Sequence, residues 1–309
     1  MKTFMKPRRS GFTLMELMVA MAITTIIVTV LVSITSIAID TWNRSRAELR
    51  ASRQAKAMVD SMARDFEALV TRRGNEFEWL SAVSPQGSLP KVGQMESTNA
   101  AELIFFAGST DRYNGEIGKP EDKGGDVSCV AYLLDDLDPL SSGGGSKEYK
   151  TFVLNRMLVN PDETFEDLLG QKSLDTAFGS YKSRLKQPEY FVCENIYQFT
   201  VTFHVEITQT SGSTSTMKTV PITIGQGGGK TASSFKVKGT GIEVTGGSGS
   251  ITADQLKSGR LKAMEVSITV LSDIGIDQLR NRGFGGNQQA EFLAKNSYEY
   301  TKLVQLPTM

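Results

Sequence analysis

The most uneven distribution of hydrophobic and polar residues lies near the amino terminus. Apolar residues follow one another from Phe12 to Ile39, and Glu16 is the only charged residue among them. No proline interrupts this run, which is longer than the about 20 residues that a helix needs to cross a bilayer. The pattern predicts a membrane-spanning helix over residues 12–39, in which Ser and Thr hydroxyls can bond back to the carbonyl one turn earlier.

The next segment, residues 40–73, has the hydrophobic periodicity of an amphipathic helix. Its apolar residues recur at steps of three and four, and Gly74 can supply the left-handed residue that ends a helix. We expect the apolar stripe to pack on a sheet of the same chain rather than on a separate partner helix. The stripe consists of Ala55, Met58, Val59, Met62, Phe66, Leu69 and Val70.

Beyond Gly74 the pattern changes to short strands. The clearest is Tyr197–Ile207, where apolar and polar residues alternate so that one face packs on a core. Residues 75–100, with two prolines and two glycines, are predicted to be irregular. The overall prediction is an α+β fold, with a long N-terminal helix and a globular head, residues 74–309, built on a mostly antiparallel sheet. Further strands are predicted at 103–107, 127–134, 149–158, 219–224, 234–244, 264–270 and 298–306, short helices at 160–169, 274–281 and 288–295, and a flexible loop at 141–146.

Glu16 is unusual in an apolar helix. A carboxylate near the centre of a bilayer costs about 2.5–3.5 kcal/mol, so it is rarely left unpaired. Either Glu16 lies near the cytoplasmic headgroups and reaches water, or it has a cationic partner inside an assembly. If the chain were cut after Gly11, Phe12 would carry a free amino group four residues before Glu16 and could neutralise it.

An ordinary secretory signal is the competing interpretation of this segment. The apolar core of such a signal has about 7–15 residues, and the run here is much longer. The flanking charges leave the orientation open, because cations precede the run and also follow it between residues 44 and 56.

The junction itself resembles a known signal. Residues 11–17 read GFTLMEL, follow Arg8 and Arg9, and open the apolar run. This string is similar to the class III signal of type IV pilins and type II secretion pseudopilins. The resemblance implies that a prepilin peptidase removes residues 1–11 by cutting between Gly11 and Phe12, and that Phe12 is then N-methylated. It also implies that Glu16 pairs with the amino terminus of an adjacent subunit during filament assembly.

The same resemblance implies a location and a fold. The chain would be a single-pass protein of the inner membrane with its C-terminal head in the periplasm, and its partners would be other pilin or pseudopilin subunits. The fold would be pilin-like, with residues 40–73 continuing the helix into the head.

Three later segments resemble the J-type minor pseudopilins in layout. They are Arg64–Phe66, Leu261–Val270 and Tyr300–Pro307. This resemblance implies a structural minor subunit at the tip of a type II secretion pseudopilus or of a type IV pilus-like filament. The alternative is a membrane-anchored extracytoplasmic binding or enzymatic domain that does not assemble, and a substitution of Glu16 distinguishes the two.

Overall charge argues against a general affinity for nucleic acid. The chain has 34 Lys and Arg residues and 34 Asp and Glu residues, so its formal net charge is zero. A nucleic-acid-binding protein usually has a basic balance. We therefore expect no nucleic acid among the partners.

The residues that could support catalysis or metal binding form no recognisable motif. Lys230 and Thr231 follow three glycines, but a phosphate-binding loop needs a glycine where Ile224 stands. His204 is the only histidine and lies on the polar face of a predicted strand. Asp135, Asp136 and Asp138 could contribute to a calcium site, but an acidic turn explains them better. We predict no enzyme activity, no metal and no cofactor.

The chain has two cysteines, Cys129 and Cys193, both on predicted strands. In an oxidising periplasm they could form one disulfide. They could equally be two separate buried thiols, and the sequence leaves both arrangements open.

Overall fold

A computed structural model describes residues 11–85, 87, 89–108, 126–138, 149–211, 214–226, 230–247, 251–281 and 286–306. The chain divides into two units, residues 1–49 and residues 50–309. The basic leader before Gly11, the loop at 141–146 and Pro307 lie outside the described residues.

One long helix and a set of strands make up the described chain. Helix α1 covers Leu14–Glu67. The strands are β1 Glu78–Val83, β2 Lys91–Val92, β3 Met95–Glu96, β4 Glu102–Ala107, β5 Ser128–Leu137, β6 Thr151–Val159, β7 Phe191–Glu194, β8 Ile196–Ser211, β9 Thr214–Ile224, β10 Thr231–Ala232, β11 Ser234–Lys238, β12 Gly241–Thr245, β13 Arg260–Leu271 and β14 Ser297–Gln305.

Short helices connect several of these strands. They are α2 Pro161–Glu163, which continues as a π-helix over Thr164–Leu168, then α3 Leu174–Ala177, α4 Gly179–Leu185, a 3₁₀ helix Pro188–Tyr190, α5 Ala253–Lys257, α6 Asp273–Asn281 and α7 Gly286–Asn296.

The strands of the head form two larger sheets. The seven-stranded sheet has the order β12-β11-β1-β4-β5-β6-β7, and the five-stranded sheet has the order β10-β9-β8-β13-β14. Neighbouring strands are antiparallel, except that β10 is parallel to β9. The mostly antiparallel α+β, pilin-like architecture predicted from the sequence is therefore confirmed, although it uses two sheets.

The second part of α1 supplies one side of the main core. Met58, Met62 and Phe66 are buried against residues of both sheets, and the rings of Phe66 and Phe105 meet edge to face at 5.3 Å. The stripe therefore packs on the sheets of its own chain, as predicted. Burying such side chains contributes about 1.5–3 kcal/mol each. The inward face of β8 contributes Phe199, Val201, Phe203, Val205 and Ile207 to the same core.

A largely buried ion pair joins α1 to the seven-stranded sheet. Arg156 donates from Nε and Nη2 to the two oxygens of Asp65, at 2.7 and 2.8 Å. The hydroxyl of the buried Tyr132 donates to the same carboxylate. Tyr132 and Arg156 face each other across β5 and β6. These contacts hold the C-terminal turns of α1 on the sheet by directional bonds as well as by apolar packing.

Two sequence predictions for this region are wrong. The amphipathic helix ends at Glu67 rather than at residue 73, because Leu69 pairs with Ala107 and the Val70 amide donates to Phe106. The chain therefore leaves the helix to join the sheet edge. Residues 75–100 are not irregular throughout, since they contain β1, which pairs with β4 and β11 inside the seven-stranded sheet.

Candidate processing and assembly site

The predicted cleavage junction lies immediately before α1. Gly11 and Phe12 precede the first helical residue, Leu14, and Phe12 is 86% exposed. A Cβ placed on Gly11 would meet nothing within 4 Å. Among the described residues, nothing therefore covers the peptide bond that the predicted peptidase would cut.

Glu16 closes a capping box at the start of this helix. Thr13 is the residue before the helix, and both its amide and its hydroxyl donate to Glu16 Oε2 at 2.9 Å. In return the Glu16 amide donates to the Thr13 hydroxyl at 3.3 Å. This reciprocal pair satisfies amides that a helix start leaves without partners. The carboxylate also lies at the positive end of the helix dipole.

The capping box changes the interpretation of Glu16. The apolar sequence around Glu16 predicts a carboxylate that needs water or a cation, but Thr13 already binds one of its oxygens. The Thr-x-x-Glu spacing before an apolar run is a local signal for this motif, so the cap is a feature that the sequence predictions missed. Within the described residues no cation lies within ion-pair distance of Glu16, so the pairing with an amino terminus stays a prediction.

The apolar half of α1 is exposed along its length. Side chains such as Ile26 and Ile37 are more than half exposed. Among the described residues, α1 is the one helix that is long and apolar enough to cross a membrane. As predicted, Thr24, Thr25, Thr29, Ser33 and Thr35 donate to the carbonyl four residues earlier, at 2.7–3.0 Å. Their hydroxyls are thereby satisfied without water.

The comparison with protein families gives one match. The family model described as a prokaryotic N-terminal methylation motif matches residues 6–32, less than a tenth of the chain. It covers Gly11, Phe12, Glu16 and the first part of the apolar helix. The comparisons with curated proteins and with solved structures give no significant match. The chain therefore has a prepilin-type signal and a single apolar N-terminal helix, which support a pilin-like or pseudopilin-like subunit anchored in a membrane.

The two cysteines are separate in the structure. Both thiols are free and buried. Cys129 is opposite Val159 of β6, whereas Cys193 is opposite Leu154 of the same strand, so the two belong to different hydrophobic clusters. The disulfide that the sequence left open is not formed. The other alternative, two separate buried thiols, matches the structure. Val159 and Leu154 are an odd number of residues apart on β6, and side chains alternate between the two faces of a sheet, so the cysteines opposite them lie on different faces.

The remaining candidate residues have structural partners. His204 is half-buried and its Nε2 lies 3.4 Å from Glu265 Oε2 on the polar face of β8. Asp135 pairs with Lys186 and Asp136 pairs with Lys150, each at 2.9 Å. No group of three or more metal-ligating side chains occurs among the described residues.

The glycine-rich segment before Lys230 does not have the surroundings of a phosphate-binding loop. Its three glycines lie outside the described residues, but the chain after them forms β10 and β11. A phosphate-binding loop is followed by a helix N-terminus. The structure therefore argues against nucleotide binding at this position.

Proposed function

We propose that the protein is a structural minor pilin or pseudopilin subunit. A prepilin peptidase removes residues 1–11, Phe12 is N-methylated, and the mature chain enters a type II secretion pseudopilus or a type IV pilus-like filament through its N-terminal helix. The observation that carries the proposal is the methylation-motif match over residues 6–32. The exposed apolar part of α1 supports it, because such a surface needs a membrane or a neighbouring helix to cover it.

The location and partners of the protein follow from the same proposal. The apolar part of α1 anchors the precursor in the inner membrane, and the head lies in the periplasm. The partners are the peptidase and other pilin or pseudopilin subunits. The layout shared with J-type minor pseudopilins extends the proposal to a place at the filament tip.

In this proposal Glu16 has two successive partners. In the precursor its carboxylate accepts from Thr13. After cleavage, the new amino group of Phe12 in an adjacent subunit adds a positive charge beside it. An ion pair formed away from water is stronger than one in solvent, so the charge of Glu16 favours assembly.

Three variants separate the charge of Glu16 from its capping role. Glu16→Gln keeps an oxygen that can cap the helix but removes the charge. Thr13→Val removes the capping hydroxyl but keeps the charge, and Glu16→Leu removes both functions. Each variant is produced in the native host, and incorporation into filaments or into a crosslinked complex of minor subunits is measured beside membrane insertion.

We expect Glu16→Gln and Glu16→Leu to insert into the membrane but to lose most of their incorporation. Thr13→Val is expected to assemble nearly as well as the wild type. Wild-type incorporation of Glu16→Gln would refute the pairing of charges. Absence of the wild-type protein itself from filaments and from the crosslinked complex would favour an anchored domain that does not assemble.

A further inference from the structure

A cleft with a strongly positive lining lies at the C-terminal end of α1. The part of this helix that belongs to the head begins at Arg50, so the cleft is at the far end of that part. Its volume is about 440 Å³, which is within the range of ligand-binding pockets. We call it the basic cleft. Six cationic side chains line it, namely Arg72, Arg73, Lys238, Lys257, Arg260 and Lys262.

Three glycines in two turns hold the walls of the basic cleft together. The turn between β11 and β12 packs against the turn between α5 and β13. Gly241 has φ +130°, and a Cβ there would lie 2.2 Å from the carbonyl oxygen of Lys257. A Cβ on Gly259 would lie 2.9 Å from Val205, and one on Gly239 would lie 2.3 Å from Asn75. Side chains at these positions would push the walls apart, so the cleft is a built feature of the fold.

The cations of the cleft are incompletely neutralised. Lys238 pairs with Glu243 at 2.7 Å, and Lys262 is 3.5 Å from Glu206, the one carboxylate in the described lining. Within the part of the chain that the structure describes, the other four cations form no ion pair. Those four are the exposed residues Arg72, Arg73, Lys257 and Arg260.

This accumulation of positive charge occurs in a protein whose acidic and basic residues balance at 34 each. Like charges that surround one cleft repel each other, and an anionic ligand relieves that repulsion. A solvated patch of lysines would need neither a cleft nor apolar side chains among its lining. Apolar side chains also line this cleft, namely Leu69, Val237, Ile242, Leu261 and Leu306.

The lining indicates which anion fits. Proteins that bind single-stranded nucleic acid combine a basic track with aromatic side chains that stack on bases, and no aromatic residue is among the described residues of this lining. A ligand with both carboxylates and apolar side chains matches the cations and the apolar side chains of the lining together. We propose that the basic cleft binds an acidic segment of a partner protein. This proposal rests on the proposed function only in that a filament subunit has protein partners, because the binding itself needs no filament.

The test uses the full-length chain in an uncharged detergent. The probe is a short fluorescent peptide of glutamates with a central leucine, and binding is followed by anisotropy at several salt concentrations. The double variant Lys257→Glu/Arg260→Glu reverses two charges in the cleft. The matched control Lys218→Glu/Lys230→Glu makes the same change of net charge at two exposed lysines outside the lining.

We expect the peptide to bind, binding to weaken with salt, and the cleft variant to bind about tenfold more weakly than the control. Arg72→Glu/Arg73→Glu, on a different segment of the cleft, is a second variant in case the first unfolds. Equal losses in the cleft variant and the control would overturn the proposal, as would absence of peptide binding. Tighter binding of an oligothymidylate than of the peptide would overturn it in favour of nucleic acid. None of these results depends on filament assembly, so failure here is distinct from failure of the proposed function.

Discussion

The ion pair between Asp65 and Arg156 makes a prediction about the stability of the head. The side chains of Asp65 and Arg156 are 11% and 20% exposed. Asp65→Ala leaves the Arg156 guanidinium without its carboxylate and removes the acceptor of the Tyr132 hydroxyl. The perturbation is therefore the creation of an uncompensated charge in a poorly hydrated place, and not only the loss of two hydrogen bonds.

The size of the effect follows from this burial. Breaking a buried pair by removing one partner costs about 3–5 kcal/mol. Because Arg156 keeps some contact with water, we expect the lower end, about 3 kcal/mol. For a domain of this size each kcal/mol lowers the unfolding temperature by about 2–4 °C. The midpoint of Asp65→Ala should therefore fall by about 6–12 °C.

The assay follows the fluorescence of the buried Trp79 during thermal unfolding of the full-length chain in detergent. All proteins carry Trp42→Phe, so that the exposed second tryptophan does not contribute. Asp60→Ala is the matched control. Asp60 lies on the same helix and binds Lys302 on β14 at 2.6 Å, but the two side chains are 46% and 40% exposed.

We expect Asp60→Ala to leave the midpoint near the wild-type value, because exposed ion pairs contribute little. The double variant Asp65→Ala/Arg156→Met should recover part of the loss, since it also removes the unpaired charge. The reasoning from buried charge is refuted if Asp65→Ala unfolds at the same temperature as Asp60→Ala. It is also refuted if the addition of Arg156→Met to Asp65→Ala lowers the unfolding midpoint by as much again.

Two further predictions concern buried titratable groups. Cys129 and Cys193 are buried free thiols, and burial raises the pKa of both, to about 12 for Cys193. Without reductant, a thiol reagent should therefore label neither in the folded head and both after unfolding, whereas an absence of labelling after unfolding would reveal a disulfide. Burial also raises the pKa of Glu102 above its ordinary value of 4.5, although Lys182 lies 2.9 Å away and opposes the shift. Protonation of Glu102 thus favours the folded state at low pH, so the stability of the wild type relative to Glu102→Gln should fall as pH rises above about 4.5. Denaturant titrations at several pH values measure this difference, and a difference that stays constant would contradict the burial effect.

Local patterns were sufficient to predict much of this fold. The alternation in Tyr197–Ile207 predicted β8 and its inward face, and the three- and four-residue steps predicted the buried stripe of α1. Each of these features is a repeat within one segment, so it can be recognised without knowing what the segment packs against.

The missed features depend on contacts between distant segments. Glu78 starts β1 and is buried, because Lys236 on β11 lies 3.2 Å from its carboxylate. A glutamate beside turn residues does not predict a strand unless the lysine that pairs with its carboxylate is known. The early end of α1 has the same origin, since Leu69 bridges to Ala107. The cations of the basic cleft come from several separate segments, and only the folded chain brings them together.

The predicted processing site, in contrast, depends on local sequence and not on contacts between distant segments. Gly11, Phe12 and Glu16 could be predicted as site residues from the sequence because a peptidase signal is read along the chain. Even the capping box between Thr13 and Glu16 is a local motif that could have been predicted. Local sequence cannot supply the partner that we propose for Glu16 after cleavage, because in that proposal the partner belongs to another molecule.

The most direct test of the central claim is mass spectrometry of the N-terminal peptide, taken from the membrane fraction of the native host. If the protein is a processed pilin-like subunit, the mature chain starts at Phe12 and carries a methyl group on its amino terminus. A mature chain that keeps Met1 or the basic leader would contradict the account and would favour a plain membrane anchor.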